Sequence, residues 1–279
     1  MTTLHPASRT PRKVTTTGQP AFVLHGWSWS ETSLILDLFT REAGRVAVAA
    51  KGAKRPYSQM RSVLMPFQRI VVHFGRTRGD ETADVHNLRS AEWAGQGVSL
   101  SGGDWFSGFY LNELLMRLLP RDDPHPRLFD VYALTLLAMS HASAARMEAA
   151  LRAFELLLLR ETGVLPELDR VTHTQSPVAG DAAYQVRPEE GVVEVVPGPS
   201  SLPARVCAEL ESALRAVQSE PGAERLEQLL AAAVAAGPAL KTQLRQQLHY
   251  HLAGTTLRTR QVMIEAYRLL GLDAAAAAR

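Results

Sequence analysis

Cysteine is nearly absent: Cys207 is the only one in 279 residues. That excludes an internal disulfide, and it excludes a zinc site made from four cysteines or from two cysteines and two histidines. No run of 18 apolar residues occurs, so no transmembrane helix is expected. The opening stretch MTTLHPASRTPRKVTTTGQP has no apolar h-region, and residues 1–19 read as a disordered lead rather than a secretory signal. The G-x-S-x-G, G-x-x-x-x-G-K-[ST] and G-x-G-x-x-G patterns are missing, so neither a hydrolase elbow nor a phosphate-cradling loop is announced. Cys207 lies in a helical pattern, where a buried inert thiol is expected. The sequence offers no catalytic centre and no cofactor or metal site.

Acids are also scarce where bases are not. Residues 1–79 hold twelve Lys/Arg against Glu31, Asp37 and Glu42, a net charge of +9, while residues 80–279 carry −7. The overall charge of +2 hides this asymmetry. A basic module on a mildly acidic remainder is the pattern of a polyanion binder carried on a partner-binding scaffold.

Residues 20–95 read as about five short strands separated by Gly and polar clusters: AFVLHGWSW, SLILDLF, RVAVAA, VLMPFQRIVVHF and ADVHNLRSAEW. Five strands in so short a span suggest a small barrel of the OB type, and a small open sheet of the SH3 type fits the same pattern. Beyond SLSGGD the period becomes helical. Leu111, Leu114, Leu115 and Leu118 share one face, and further helices are predicted in PRLFDVYALTLLAMS and ARMEAALRAFELLLLRETG. From 164 to 203 the helical period is lost among six prolines, with a hairpin candidate in AAYQVRPEEGVVEVV. Helices resume and run to about residue 270, leaving LDAAAAAR as a frayed tail at 271–279. The fold class is α+β and multidomain. It has an N-terminal five-stranded barrel over 20–97, then an all-helical domain over 98–270 with a poorly regular insertion at about 166–203.

The strand RVAVAA delivers the chain into KGAKRP, where Gly52 sits among Lys51, Lys54 and Arg55 with no acid nearby. Such a turn lets cations and backbone approach phosphates closely. Arg45, Arg61, Arg69, Arg76 and Arg78 extend the field and complete the candidate DNA-binding set. Trp27, Trp29 and Tyr57 are candidate stacking platforms for single-stranded bases, whereas Phe67 and Phe74 read as core. A second basic stretch contains Lys241, Arg245, Arg258 and Arg260, with no acid between Glu227 and Glu265. Lys241 and Arg245 fall at i, i+4 on one helix face, where an anionic partner would relieve their repulsion.

The stretch from Ala21 to Arg55 resembles the opening of the bacterial RecO family of recombination mediators. The matching segments are WSETS at 29–33, DLFTREAGR at 37–45 and AKGAKR at 50–55. LMPFQRIVVHFGR, LRSAEW, SGFYLNELLMRLL and LRAFELLLL are similar to later family segments, and LAGTTLRTRQVM places Arg258 and Arg260 at basic family positions. The likeness is strong over 20–165 and thinner beyond.

The resemblance implies an N-terminal OB-fold, a helical body and no enzyme. It implies a cytoplasmic, nucleoid-associated protein of recombinational DNA repair. Such a protein binds single- and double-stranded DNA and anneals complementary strands. It engages the C-terminal tail of single-stranded DNA-binding protein, and it pairs with RecR to load the recombinase. Some members carry a four-cysteine zinc motif between the helices; here residues 166–203 must hold themselves without metal. The tail is acidic and ends in an apolar residue with a free carboxylate, so its receptor needs an apolar slot rimmed by cations. The expected slot is Phe154, Leu157 and Leu158, bordered by Arg152 and Arg160 with Arg117, Arg121 and Arg127 close by, and Lys241, Arg245, Arg258 and Arg260 form the second location. The alternative function is a protein scaffold whose basic barrel takes an acidic peptide; a metal-independent enzyme is a third.

Overall fold

The computed structural model describes residues 18–75, 84–95, 98, 100 and 102–269. Arg76, Arg78, residues 1–17 of the expected lead and the tail at 271–279 lie outside the described residues. Five strands close a barrel in the order β1-β2-β3-β5-β4: β1 Gln19–Ser28, β2 Leu34–Thr40, β3 Gly44–Ala50, β4 Ile70–Gly75 and β5 Val85–Trp93. β3 pairs with β5 in parallel and all other neighbours are antiparallel, which is OB topology. Between β3 and β4 the short α1 (Met60–Val63) brings Val63 and Leu64 onto the barrel core.

The strands alternate, yet β1 is buried on both faces at Ala21, Phe22, Val23 and Leu24. Ala21 and Val23 fill the barrel, while Phe22 and Leu24 point into the helical body, joined by Phe39 of β2. There they meet Phe129 and Tyr132, with the Phe22 ring centroid 5.2 and 5.0 Å from theirs. The barrel interior thus forms its own core, while the barrel's outer face joins the core of the body. A β-bulge between Val23 and His25 leaves Leu24 out of register. Its carbonyl accepts from Asn112 Nδ2 at 2.9 Å, and the Tyr132 hydroxyl donates to Asn112 Oδ1 at 2.5 Å. The Leu24 carbonyl, the Asn112 amide and the Tyr132 hydroxyl thereby satisfy one another.

The body comprises α2 (Asp104–Leu118), α3 (Pro126–Met139), α4 (Ala144–Glu161), α5 (Ala204–Ser219), α6 (Ala223–His251) and α7 (Arg258–Leu269). α6 bends at Gly237 and Pro238, where the sequence changes from one helical stretch to the next. The hairpin of the proline-rich segment forms as β6 (Ala183–Arg187) and β7 (Gly191–Val195), and β8 (Leu202–Pro203) adds a third strand. Side-chain amides of α6 hold the hairpin to the body. Gln243 Oε1 accepts from the Val186 N–H at 2.9 Å, and Gln247 Nε2 donates to the Val186 carbonyl at 3.1 Å. Glu211 receives both Arg160, at 2.7 and 2.9 Å, and the Leu168 N–H, at 2.8 Å. No described helix is long and apolar enough to cross a membrane.

Candidate nucleic-acid interface and partner cleft

The basic turn folds against the β1–β2 loop. The Lys54 N–H donates to the Thr32 carbonyl at 3.0 Å, and Lys54 Nζ donates to the Ser30 carbonyl at 3.0 Å. Gly52 adopts φ 74°, a left-handed conformation that costs glycine little. The two loops bring Lys51, Lys54 and Arg55 beside Trp27 and Trp29 at one barrel rim. Lys51, Arg55 and Arg61 are exposed, and none has an ion-pair partner among the described residues. Trp29 and Tyr57 are 61% and 98% exposed, whereas Phe67 and Phe74 are core. Large aromatic rings left in water next to unneutralised cations are what a single-stranded polynucleotide requires. Arg69 is exposed as well, its guanidinium 6.0 Å from the Phe129 ring centroid.

Arg45 does not belong to this surface. Its side chain turns into the seam, where Nε stands 3.1 Å from Asp37 Oδ1. Its Nη1 donates to the carbonyls of Met116 and Leu119 at the end of α2, the second at 2.7 Å. It therefore satisfies carbonyls that a helix C-terminus leaves free. Arg121 completes the group, 3.4 Å from Asp37 Oδ2. Burial raises the Asp37 carboxyl above its ordinary value, and the two guanidiniums offset that only in part. Gly44 starts β3 at φ 70° with Asp123 so close that a Cβ would collide with its backbone, so glycine is required there. The seam consumes Arg45 and Arg121; neither is a free binding cation.

The expected apolar slot is also displaced. Phe154, Leu157 and Leu158 are buried in the main core, with Phe154 against Tyr132, and no ligand can reach them. One turn earlier on α4, Leu151 opens onto a cleft of about 470 Å³ between α2, α4, α6 and α7. Leu248, Leu252 and Met263 supply further apolar wall, and Arg152, Lys241, Arg245 and Arg260 bring cations. Two widely separated stretches of sequence, the Arg152 region and the late basic stretch, meet here; Arg121 and Arg258 do not line the cleft.

At the cleft floor Glu155 is fully buried, 2.6 Å from both Arg152 Nη2 and the Tyr110 hydroxyl. Burial pushes its carboxyl up against the lowering effect of these neighbours. Lys241 Nζ pairs with Glu148 at 2.6 Å. The α7 wall hangs on Glu113 of α2, which accepts from the backbone N–H groups of Arg258 and Thr259, both at 2.8 Å, and from the Thr259 hydroxyl. Burial alone would raise Glu113, but these bonds and Arg117 outweigh it and hold the carboxyl below its ordinary value. The thiol of Cys207 is buried and pushed up to about 12, so it is no nucleophile near neutral pH.

A closed five-stranded barrel of OB order, packed by its outer face onto a helical body, defines the class: an OB-fold protein with a helical scaffold. Comparison with known proteins narrows this. The family description "Recombination protein O N terminal" matches residues 14–95, and "Recombination protein O C terminal" matches residues 103–261. The DNA repair protein RecO of Variovorax paradoxus (strain S110) is 46% identical over 249 residues, covering 88% of this chain and 94% of the relative. That of Polaromonas naphthalenivorans (strain CJ2) is 46% identical over 252 residues, covering 90% and 97%. That of Delftia acidovorans is 45% identical over 258 residues, covering 90% and 96%. The chain belongs to the RecO family of DNA repair proteins, and its role lies in recombinational repair.

Proposed function

We propose that the chain acts by binding rather than by catalysis. The barrel rim takes DNA and brings complementary single strands together. The helical cleft takes the acidic C-terminal tail of single-stranded DNA-binding protein. With RecR, the assembly loads the recombinase at the nucleoid. The observation that carries the DNA reading is the rim itself: Lys51, Arg55 and Arg61 have no ion-pair partner among the described residues and stand with exposed Trp27, Trp29 and Tyr57. The tail reading is supported by the cleft, where apolar wall and four cations converge as a free carboxylate beside an apolar side chain would need. RecR pairing rests on the family alone.

The test is DNA affinity across salt. Replacing Lys51, Lys54 and Arg55 together by Glu should weaken single- and double-stranded DNA binding and slow annealing. It should also lower the log–log salt slope for single strands by about 0.7 per lost phosphate contact. A folded triple variant with unchanged affinity would remove the barrel rim from the account. It would favour the scaffold reading, in which the barrel takes an acidic peptide.

A further inference from the structure

A second cleft, of about 340 Å³, lies beside the barrel and is lined by Met65, Pro66, Gln68, Trp93 and Trp105 among others. Its walls are aromatic and partly in water: Trp93 at the end of β5 is 50% exposed and Trp105 at the start of α2 is 36% exposed. Trp105 is held in place by its Nε1–H, which donates to the Leu100 carbonyl at 2.6 Å, and by an edge-on contact with the buried Phe67 ring. Gln68 adds a polar group with capacity to spare. Its Nε2 donates to the Val98 carbonyl at 3.0 Å, which fixes the orientation of the amide. The other end, Oε1, is buried with no hydrogen-bond partner among the described residues. A buried acceptor left unmet costs about 1–3 kcal/mol, so a ligand that brings a donor there gains what water cannot supply.

We propose that this cleft is a nucleobase subsite, in which one base of single-stranded DNA stacks against Trp93 and presents an N–H edge to Gln68 Oε1. This rests on the reading of the barrel as a DNA-binding surface. The occupant follows from three observations. Among the described residues no charged one lines the cleft, and Glu92 and Asp104 are sequence neighbours of the two tryptophans, so an uncharged ring is favoured over a phosphate. All four bases carry N–H donors on an exposed edge when unpaired, and all have a face to stack. The cleft is also continuous in sequence with the basic rim: residues 51–69 run from the cationic turn through α1 to Met65 and Gln68, with exposed Arg61 and Arg69 on either side. A strand whose phosphates follow these cations would have a base within reach of the aromatic walls.

The probe is an oligodeoxythymidine, compared with a duplex of the same length. Trp93→Ala should weaken the single strand roughly 5- to 150-fold, the value of one base–aromatic stack. Duplex affinity and the salt slope should stay unchanged, because stacking releases no counterions. Trp93→Phe should restore most of the loss, and an oligonucleotide carrying iodouracil should photo-cross-link to the Trp93 segment in the parent. Unchanged single-strand binding by folded Trp93→Ala overturns the proposal, as does an equal loss on duplex. Intact DNA binding with loss of RecR binding overturns it too, and assigns the cleft to a protein. If the triple rim reversal leaves DNA binding intact, the barrel reading itself falls. If the reversal weakens binding while Trp93→Ala is silent, only the base subsite falls.

Discussion

The two ends of strand β3 carry the same kind of side chain and use it in opposite ways. At its start Arg45 faces Asp37 and the last carbonyls of α2; past its end Lys51 and Arg55 face water. Five strand residues, 46–50, separate a cation that holds the molecule together from cations with no ion-pair partner among the described residues. What distinguishes them is the neighbour: a buried carboxylate and a helix terminus at one end, and a loop of serine and tryptophan at the other. Cations spent on internal carboxylates cannot release counterions from DNA, so the +9 of the first 79 residues overstates the charge available to a ligand. Arg41 is similarly spent, forked onto Asp130 of α3 at 2.9 and 3.0 Å.

The largest effect that would sharpen this contrast is on stability. Arg45→Ala leaves the buried Asp37 carboxylate to Arg121 alone and frees two carbonyls at the end of α2. It should cost about 3–5 kcal/mol, read by denaturant or thermal unfolding. The triple rim reversal should shift stability by no more than about 0.5 kcal/mol, since exposed charges contribute little to folding. The DNA affinities should reverse that order, provided Arg45→Ala is measured where it is folded. An Arg45 variant that keeps its stability but loses DNA would erase the distinction between the two ends.

Next in size is the contrast between the rim and the helical cleft. The rim meets a ligand with bare cations, whereas two of the four cleft cations are already partnered, Arg152 by Glu155 and Lys241 by Glu148. Arg245→Ala should weaken an acidic C-terminal peptide roughly tenfold or more, the value of one charge-assisted hydrogen bond, and leave DNA binding unaltered. Glu148→Gln should instead tighten the peptide by a few-fold, because Lys241 no longer has to exchange one carboxylate for another. Fluorescence anisotropy with a labelled peptide reads both. A weakened Glu148→Gln variant would show that Glu148 orients Lys241 rather than competing for it.

How much of this was legible follows from the same physics. Period-two alternation marked the barrel strands and the charged turn, because one face of each strand fills a small core. It could not say what covers the other face, so Arg45 looked like its neighbours although α2, some 70 residues later, was its partner. Helix α4 is apolar around most of its circumference, which hid the fact that Leu151 opens to the cleft while Phe154 is core. Lys241 and Arg245 were visible as a pair on one helix face, but their meeting with Arg152 is tertiary. Gln243 and Gln247 gave no signal, since an amide on an apolar face is recognisable as a strand partner only once the strand is in place. Trp93 and Trp105 ended a strand and began a helix in the sequence; only the fold sets them on one cleft.

A smaller effect concerns the α7 wall. Glu113 performs from another helix what an N-cap residue does from within, so Glu113→Gln should cost on the order of 1 kcal/mol. The loss should appear as faster amide exchange over residues 258–269 and a modestly weaker peptide, with the rim untouched. The sign with pH is fixed by the lowered Glu113 value: the contribution is full above the ordinary glutamate range and is lost as pH falls through the depressed value. Equal exchange in parent and variant would mean that packing alone seats α7.

The smallest expected effect lies next to the seam. His125 begins α3 with Nδ1 3.2 Å from Glu161 and Nε2 3.4 Å from Asp123, the residue against which Gly44 packs. The hydrogen bond to Glu161 raises the imidazole above its ordinary value, burial opposes this, and the Glu161 and Asp123 charges add to the rise. A raised value means that the folded state holds the proton more tightly. The stabilisation is complete below about pH 6.5, the unfolded value, and fades as pH climbs through the higher folded one. Half-burial limits it to about 1 kcal/mol. His125→Gln should therefore lower stability at pH 6 and match the parent at pH 9, measured by urea unfolding, while Lys51 and Arg55 variants show no such pH dependence. If the His125 variant and the parent lose stability in parallel across that range, the proton is not held at His125. The seam would then owe its pH response to another group.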